Sequence, residues 1–330
     1  MTRSELQAEI DRLKSSSRPI LCGPWLGEVG FELLYWVPFL RWVIQSAKIS
    51  PDRVWILSRG GPRSWYGDFS AHYLEAYEAL SVDALRDLNI RRVAEQAVRG
   101  REFGLRRRQV TAKQFGRTEA EAPLLAYATQ RMGHPDPLVL HPSVLYRVFR
   151  PFWRPPKGNR LFEAWTQMTR LQRITPDLGA ISNRLPERYI AVKAYTSEAC
   201  RLVGPNADAM RGLIRSLQRT LPVVLLHTGH SYDEHGELEL QAQGLTPSFD
   251  VRSNLEQQTA IVAGAQEFVS TYGGFAYLGP LVGTPTRAVF THANFRRDHR
   301  DLMKRVAKEL LRVTFSVTSL TAYADGRRAA

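Results

Sequence analysis

The sequence predicts an α/β protein made of two parallel-sheet domains, and three observations carry that prediction. Apolar runs of strand length end in glycines: PILCGPWLG, RVWILSRG, LPVVLLHTG and EFVSTYGG. Helical patterns follow most of them, giving the strand–loop–helix–strand rhythm of a parallel sheet. The rhythm runs from about residue 20, lapses in the middle of the chain, and restarts near residue 189. A length of 330 residues suits two domains, each with its own core. The expected division is 1–165 and 166–330, within an irregular stretch from about 150 to 185.

The elements follow in order. SELQAEIDRLK has partial helical spacing, and Ser4 is placed to cap it. Pro19 ends the polar lead-in, and PILC is a buried strand. FELLYWVPFLRWVIQSA is a helix apolar on most faces, so Pro38 either kinks it or opens a second piece. RVWILSRG is the next strand, stopping at Gly60-Gly61, and SAHYLEAYEAL reads as a helix. Residues 91–117 carry nine Lys/Arg against two Asp/Glu, an irregular basic insertion. PDPLVLHPSVLYRVFRPFWRPPKGNR, rich in Pro, Arg and aromatics, reads as loop. In the second half RYIAVKAY, LPVVLLHTG, EFVSTYGG and TPTRAVFTH are strands. ADAMRGLIRSLQRT is a helix capped by Asn206, and SNLEQQTAIVAGA one capped by Ser253 or Asn254. FAYLGPLVG is a short helix, RRDHRDLMKRVAKELLRV a long polar one, and ADGRRAA a frayed end.

Composition narrows the function. With 45 Lys+Arg against 32 Asp+Glu the formal net charge is +13, which points to an anionic partner. Two cysteines, Cys22 and Cys200, make neither a disulfide framework nor a four-cysteine zinc site. The first residues are too polar for a secretory signal, and no apolar run reaches the ~18 residues that span a bilayer. The expectation is a cytoplasmic protein. The segment 146–160, where Arg147, Arg150, Arg154, Lys157 and Arg160 interleave with Tyr146, Phe149, Phe152 and Trp153, is its candidate contact with the inner membrane surface. An RNA-recognition consensus and zinc-finger spacing are both missing, so nucleic acid is not the expected partner.

Ligands of open α/β sheets bind beyond the carboxyl ends of the strands. That rule selects the candidate residues. Gly27-Glu28-Val29-Gly30 follows the first strand: the glycines admit a ligand to the backbone, and Glu28 stands where a general base belongs. The structural alternative is a tight turn with Glu28 on a helix dipole. Lys193, inside an apolar strand, either meets phosphate in a polar cleft or sits at a solvated strand end. His227, Thr228, Gly229 and His230 end the next strand, and lack a third ligand with metal spacing. Tyr272-Gly273-Gly274-Phe275 is a turn into a helix, suited to a diphosphate but without GxGxxG or Walker spacing.

Two blocks then carry a resemblance. ILCGPWLGEVGFELLYWVPFLRWV resembles the opening of GT-B glycosyltransferases, in particular the heptosyltransferase-like family, whose first strand runs into a Gly-Asp loop and a helix. SNLEQQTAIVAGAQEFVSTYGGFAYLGPLVGTPTRAVF is similar to that family's donor-side block, with Tyr272-Gly273-Gly274 where the family commonly has Asp, then Ser or Thr, then Gly. The resemblance implies a GT-B fold, two Rossmann-like domains with parallel sheets facing a central cleft. It implies sugar transfer from a nucleotide-sugar donor, a co-substrate and not a cofactor, to a glycan or lipid-linked acceptor. Glu28 would be the base that deprotonates the acceptor, with Glu32 as the alternative. Gly27, Gly30, Lys193, Tyr272, Gly273, Gly274 and Phe275 would serve the donor, and His227, Thr228 and Gly229 would border its base and ribose. No metal-binding DxD pair occurs, in keeping with a metal-independent, inverting mechanism. The competing expectations are a GT-B-like nucleotide-sugar epimerase or pyruvyl transferase, and a non-enzymatic protein that binds nucleic acid or a membrane surface through its charge.

Overall fold

The structure is a computed structural model that describes residues 1–102, 113–153, 157–182, 184–229, 237–240, 244–293, 295 and 297–321. Residues 103–112 of the basic insertion, Arg154, His230 and the ADGRRAA tail lie outside the described residues. The chain divides into two compact units, Met1–Gln172 and Arg173–Ala330.

The first unit holds a four-stranded sheet of β1 (Ile20–Cys22), β2 (Val54–Ser58), β3 (His72–Glu75) and β4 (Leu138–Leu140). Its order is β3-β2-β1-β4 and every pairing is parallel. β1 is buried along its whole length, as a central parallel strand must be. The first helix, Arg3–Lys14, buries Leu6, Ile10 and Leu13 on one face. Its cap is Thr2 and not Ser4: Thr2 Oγ1 accepts from Glu5 N at 3.2 Å, and the Glu5 carboxylate accepts from Thr2 N at 2.6 Å.

The apolar helix after β1 starts at Val29–Phe31, passes through a π-helical stretch at Glu32–Trp36, and continues as α-helix over Val37–Ala47. Pro38 falls in the first turn of that last piece, where its missing N–H costs little. Arg41 is buried on this helix because Asp68 meets its guanidinium side-on, Nε to Oδ2 at 2.6 Å and Nη2 to Oδ1 at 2.8 Å.

Several expectations for this unit are corrected, beginning with the irregular basic insertion: its residues 91–102 belong to a helix, Val82–Glu102. SAHYLEAYEAL is not a single helix: His72–Glu75 pairs with β2 as a strand, and helix covers only Ala76–Ala79. Pairing along an open sheet edge overrode local helix propensity. The Pro-rich stretch contains β4 and a helix at Ser143–Phe149. Tertiary burial explains both, since Leu138 and Leu140 complete the sheet and Tyr146 and Phe149 are fully buried. Tyr146 packs on Trp25 and Phe31, and Trp153 on Phe31 and Tyr35. These rings are core, which leaves the arginines of 146–160, not its buried rings, to meet any anionic surface.

The second unit holds a five-stranded sheet of β5 (Ile190–Lys193), β6 (Val223–Leu225), β7 (Glu267–Thr271), β8 (Thr286–Phe290) and β9 (Phe315–Ser319). The order is β6-β5-β7-β8-β9, again parallel throughout. β9 was not expected; FSVTS is short and half polar, and it is a strand because β8 offers it an edge. Helix Pro205–Gln218 buries Met210, Leu213, Ile214 and Leu217 against β5 and β6. Its N-cap is Gly204 with Pro205 behind it, and Asn206 instead donates to Arg201 O at 3.0 Å. Helix Asn254–Gly264 has Ser253 at its N-cap position.

Candidate functional site

In the second unit the residues converge at the carboxyl ends of β5 and β6. Lys193, the last residue of β5, is only 8% exposed. Its ammonium donates to Leu226 O at 2.7 Å and to the carboxylate of Glu237. The same carboxylate accepts from Thr228 N at 2.8 Å, Gly229 N at 3.0 Å and Thr228 Oγ1 at 3.1 Å, and His227 Nδ1 lies 3.4 Å away. Gly229 has φ +68°, the left-handed turn that points two successive N–H groups at one spot. Burial acts to raise the Glu237 carboxyl pKa; Lys193 and the Gly229 N–H outweigh it and hold the pKa below the ordinary value. The Phe275 ring lies 5.4 Å from the ammonium.

An open pocket of about 680 Å³ adjoins this cluster, lined by His227, Thr228 and Gly229 on one side and residues 244–249, including Leu245, Pro247 and Phe249, on the other. Its far wall exists because residue 245 pairs with β6: Leu225 N donates to Leu245 O at 2.8 Å, and Leu245 N to Val223 O at 3.0 Å. Residue 244 is glycine because a Cβ there would lie 2.8 Å from Val223 O. One end of the pocket thus borders the loop whose N–H groups, with Lys193, hold Glu237, and the rest is walled by Leu245, Pro247 and Phe249 with Thr246 and Ser248.

Tyr272, Gly273 and Gly274 follow β7. Tyr272 is buried, with its ring against Phe295 and its hydroxyl 3.4 Å from that of Tyr277. Burial pushes its phenol up to about 12, so it stays neutral. Gly273 packs against the Tyr195 ring and hydroxyl, which a side chain would strike. Gly274 begins the short turn Gly274–Tyr277. The structure therefore brings Lys193, His227, Thr228, Gly229 and Phe275 together, and gives Tyr272 a packing role.

Gly27, Glu28 and Gly30 belong to the first unit. Gln114 fixes the loop before them, its side chain accepting from Leu26 N at 2.9 Å and donating to Pro24 O at 2.8 Å. Arg59 donates to Gly27 O at 2.9 Å. A Cβ on Gly27 would stand 3.0 Å from both Trp25 and the Tyr146 hydroxyl. Gly30 is buried in the first helical turn. Glu28 precedes that turn with extended backbone and is half-buried. Burial, and then the charge of Glu28 nearby, hold the Tyr146 phenol far above its ordinary pKa.

Glu32, the other carboxylate, is 0% exposed. One oxygen accepts from Ser58 Oγ at 2.6 Å and from the Tyr66 hydroxyl at 2.5 Å. Burial pushes it up to about 7, against the pull of Arg59, Ser58 and Tyr66. A group so enclosed does not meet a substrate hydroxyl, and Glu28 is the less buried carboxylate of the two. Close by, Glu75 at the end of β3 accepts from Gly60 N at 3.0 Å, Gly61 N at 2.7 Å and Tyr77 N at 3.0 Å. Burial pushes it too up to about 7, although those N–H groups oppose the shift.

Sequence reasoning missed Glu237, Glu75 and Gln114. The one available signal was Lys193 itself, since an ammonium in an apolar strand demands a buried acid. Among the described residues no group of three or more His, Cys, Asp or Glu side chains is arranged to hold a metal. No described helix is long and apolar enough to cross a membrane.

No protein-family model matches the chain, and no curated protein does. Solved structures are similar to it. A family 9 glycosyl transferase from Veillonella parvula matches 94% of this chain and 89% of its own, at 12% identity and a TM-score of 0.47. The E. coli ADP-heptose lipopolysaccharide heptosyltransferase II matches 83% and 85%, at 12% identity and 0.43. An E. coli heptosyltransferase with ADP-2-deoxy-2-fluoro heptose matches 84% and 90%, at 13% identity and 0.44. All three are glycosyltransferases.

Proposed function

We propose that the chain is a glycosyltransferase that moves a sugar from a nucleotide-activated donor to a glycan or lipid-linked acceptor, without a metal and with inversion. The observation that carries the reading is the second unit's anion position. A lysine, two backbone N–H groups and a hydroxyl meet at one point, beside a pocket with apolar walls. A nucleoside diphosphate has that duality of charge and flat apolar surface.

In the reaction Glu28 takes the proton of the acceptor hydroxyl as its oxygen bonds to the anomeric carbon. The bond from that carbon to the diphosphate oxygen breaks, and the leaving diphosphate gains one negative charge. Lys193, Thr228 N and Gly229 N receive that charge, the role a divalent cation has elsewhere. Attack from the face opposite the leaving group inverts the centre. His227 and the pocket beside Leu245 and Phe249 take the nucleoside, and the chain's +13 net charge suits an acidic acceptor. The protein works at the inner membrane surface if that acceptor is lipid-linked, with the arginines of 146–160 as the contact.

The test is calorimetric binding of UDP-, GDP-, ADP- and CMP-sugars, followed by donor hydrolysis and transfer. Glu28→Gln should keep donor affinity and lower turnover by about 10²–10⁴. Failure of every nucleotide sugar to bind, or an active Glu28→Gln enzyme, contradicts the reading.

A further inference from the structure

The anion position of the second unit is already filled, and by the chain itself. Lys193 Nζ, Thr228 N, Thr228 Oγ1 and Gly229 N all point at the Glu237 carboxylate. We propose that Glu237 is a built-in competitor for this site, so that a ligand phosphate enters only by replacing its carboxylate. This deepens the reading above, on which it rests for the natural ligand; the competition itself is a property of the site.

Three observations support exchange over a fixed structural pair. The backbone of Glu237 is anchored independently of its side chain. It bridges to Tyr195, Leu238 N donates to Ala194 O at 3.0 Å, and Leu238 packs on the core under β5 and β6. The carboxylate can therefore leave by rotating its own torsions while residues 237–240 stay in place. Second, Lys193 has a hold that does not depend on Glu237, because its ammonium also donates to Leu226 O at 2.7 Å. Third, the site borders the open pocket through Thr228 and Gly229, so an incoming anion has a path.

The consequence is selectivity. A tethered carboxylate competes at the high effective concentration of an intramolecular group. A monoanion such as acetate brings the same single charge and loses that competition. A diphosphate brings several charges and more acceptor oxygens, and displaces Glu237. The device keeps the buried ammonium neutralised between ligands and reserves the site for polyanions.

The experiment titrates inorganic pyrophosphate and acetate into the full chain by calorimetry, for the wild type, Glu237→Gln and Glu237→Asp. Aspartate keeps the charge but is one methylene too short to span the site, so a folding defect in one variant leaves the other. Thermal melting identifies the folded variants. The expected result is pyrophosphate bound at least about tenfold tighter by the variants than by the wild type, with acetate bound only by Glu237→Gln. Equal or weaker pyrophosphate binding in a folded variant overturns the proposal, and so does the absence of pyrophosphate binding in all three proteins. If pyrophosphate responds to Glu237 but no nucleotide sugar binds, the glycosyltransferase reading fails and the competitor stands. Nucleotide-sugar turnover with no gain in either variant has the opposite meaning.

Discussion

Both units fasten the loop after one strand by two successive backbone N–H groups on a carboxylate, and only one of the two carboxylates also meets an ammonium. After β2, the N–H groups of Gly60 and Gly61 hold the carboxylate of Glu75. After β6, those of Thr228 and Gly229 hold Glu237. Gly60, Gly61 and Gly229 have positive φ and Thr228 does not, so two different backbone turns each aim a pair of N–H groups at one carboxylate. Beside Glu237 stands Lys193; around Glu75 stand N–H groups and the Tyr73 hydroxyl. The outcome for the proton is opposite. Glu237 is held below the usual carboxylate range, whereas Glu75 is pushed up to about 7. Backbone dipoles alone do not offset the desolvation of a buried carboxylate, and an adjacent ammonium does. On the function proposed above, the cradle with a lysine is an anion site and the cradle without one fastens a loop.

Removing the lysine should break the comparison most severely. Lys193→Met leaves Glu237 buried without its counter-charge. We expect a loss of about 3 kcal/mol in stability by urea melts and about 100-fold in nucleoside diphosphate affinity by calorimetry. Unchanged affinity would mean that the second unit's cradle is also only a fastener.

The next effect is a pH dependence that belongs to the first unit. Glu75 and Glu32 have folded pKa values of about 7, against about 4.3 when unfolded. Between those values the folded chain keeps protons that the unfolded chain has lost, so stability falls as pH rises through this window and levels off above it. Each group contributes on the order of 1–3 kcal/mol to that fall. Glu75→Gln and Glu32→Gln should each flatten the slope of urea midpoints between pH 5 and pH 8. Glu237, shifted the other way, contributes stability that is lost only below its ordinary range, so Glu237→Gln should leave the slope in this window unchanged.

The smallest effect separates cradle from cation. At Gly229 an added Cβ meets nothing within 4 Å, so Gly229→Ala costs only the strain of φ +68°, about 1 kcal/mol by melting. Because the strained turn also misaligns one N–H, diphosphate affinity should fall a few-fold, far less than in Lys193→Met.

The legible part of the sequence was the part with short-range physics. Apolar runs ending in glycine marked β1, β2, β6 and β7, the apolar runs RYIAVKAY and TPTRAVFTH marked β5 and β8, and Pro38 marked the first turn of Val37–Ala47. Three of the four edge strands, β3, β4 and β9, escaped. HYLE and FSVTS are strands because a neighbouring edge was open, which no local window contains. The same limit governs the site. Lys193 and the 227–229 loop could be picked from strand-end logic. Glu237 lies 44 residues from Lys193 in sequence, and its partnership is set by the backbone bridge to Tyr195. Glu28 and Glu32 could not be told apart from spacing; they differ in burial, with Glu32 enclosed under Ser58 and Tyr66 and Glu28 half-buried.

The most direct test is a crystal structure of the full chain soaked with a nucleoside diphosphate. The account predicts phosphate oxygens on Lys193 Nζ, Thr228 N and Gly229 N, the nucleoside against Leu245 and Phe249, and the Glu237 carboxylate turned away. A diphosphate bound elsewhere, with Glu237 still seated on Lys193, would contradict it.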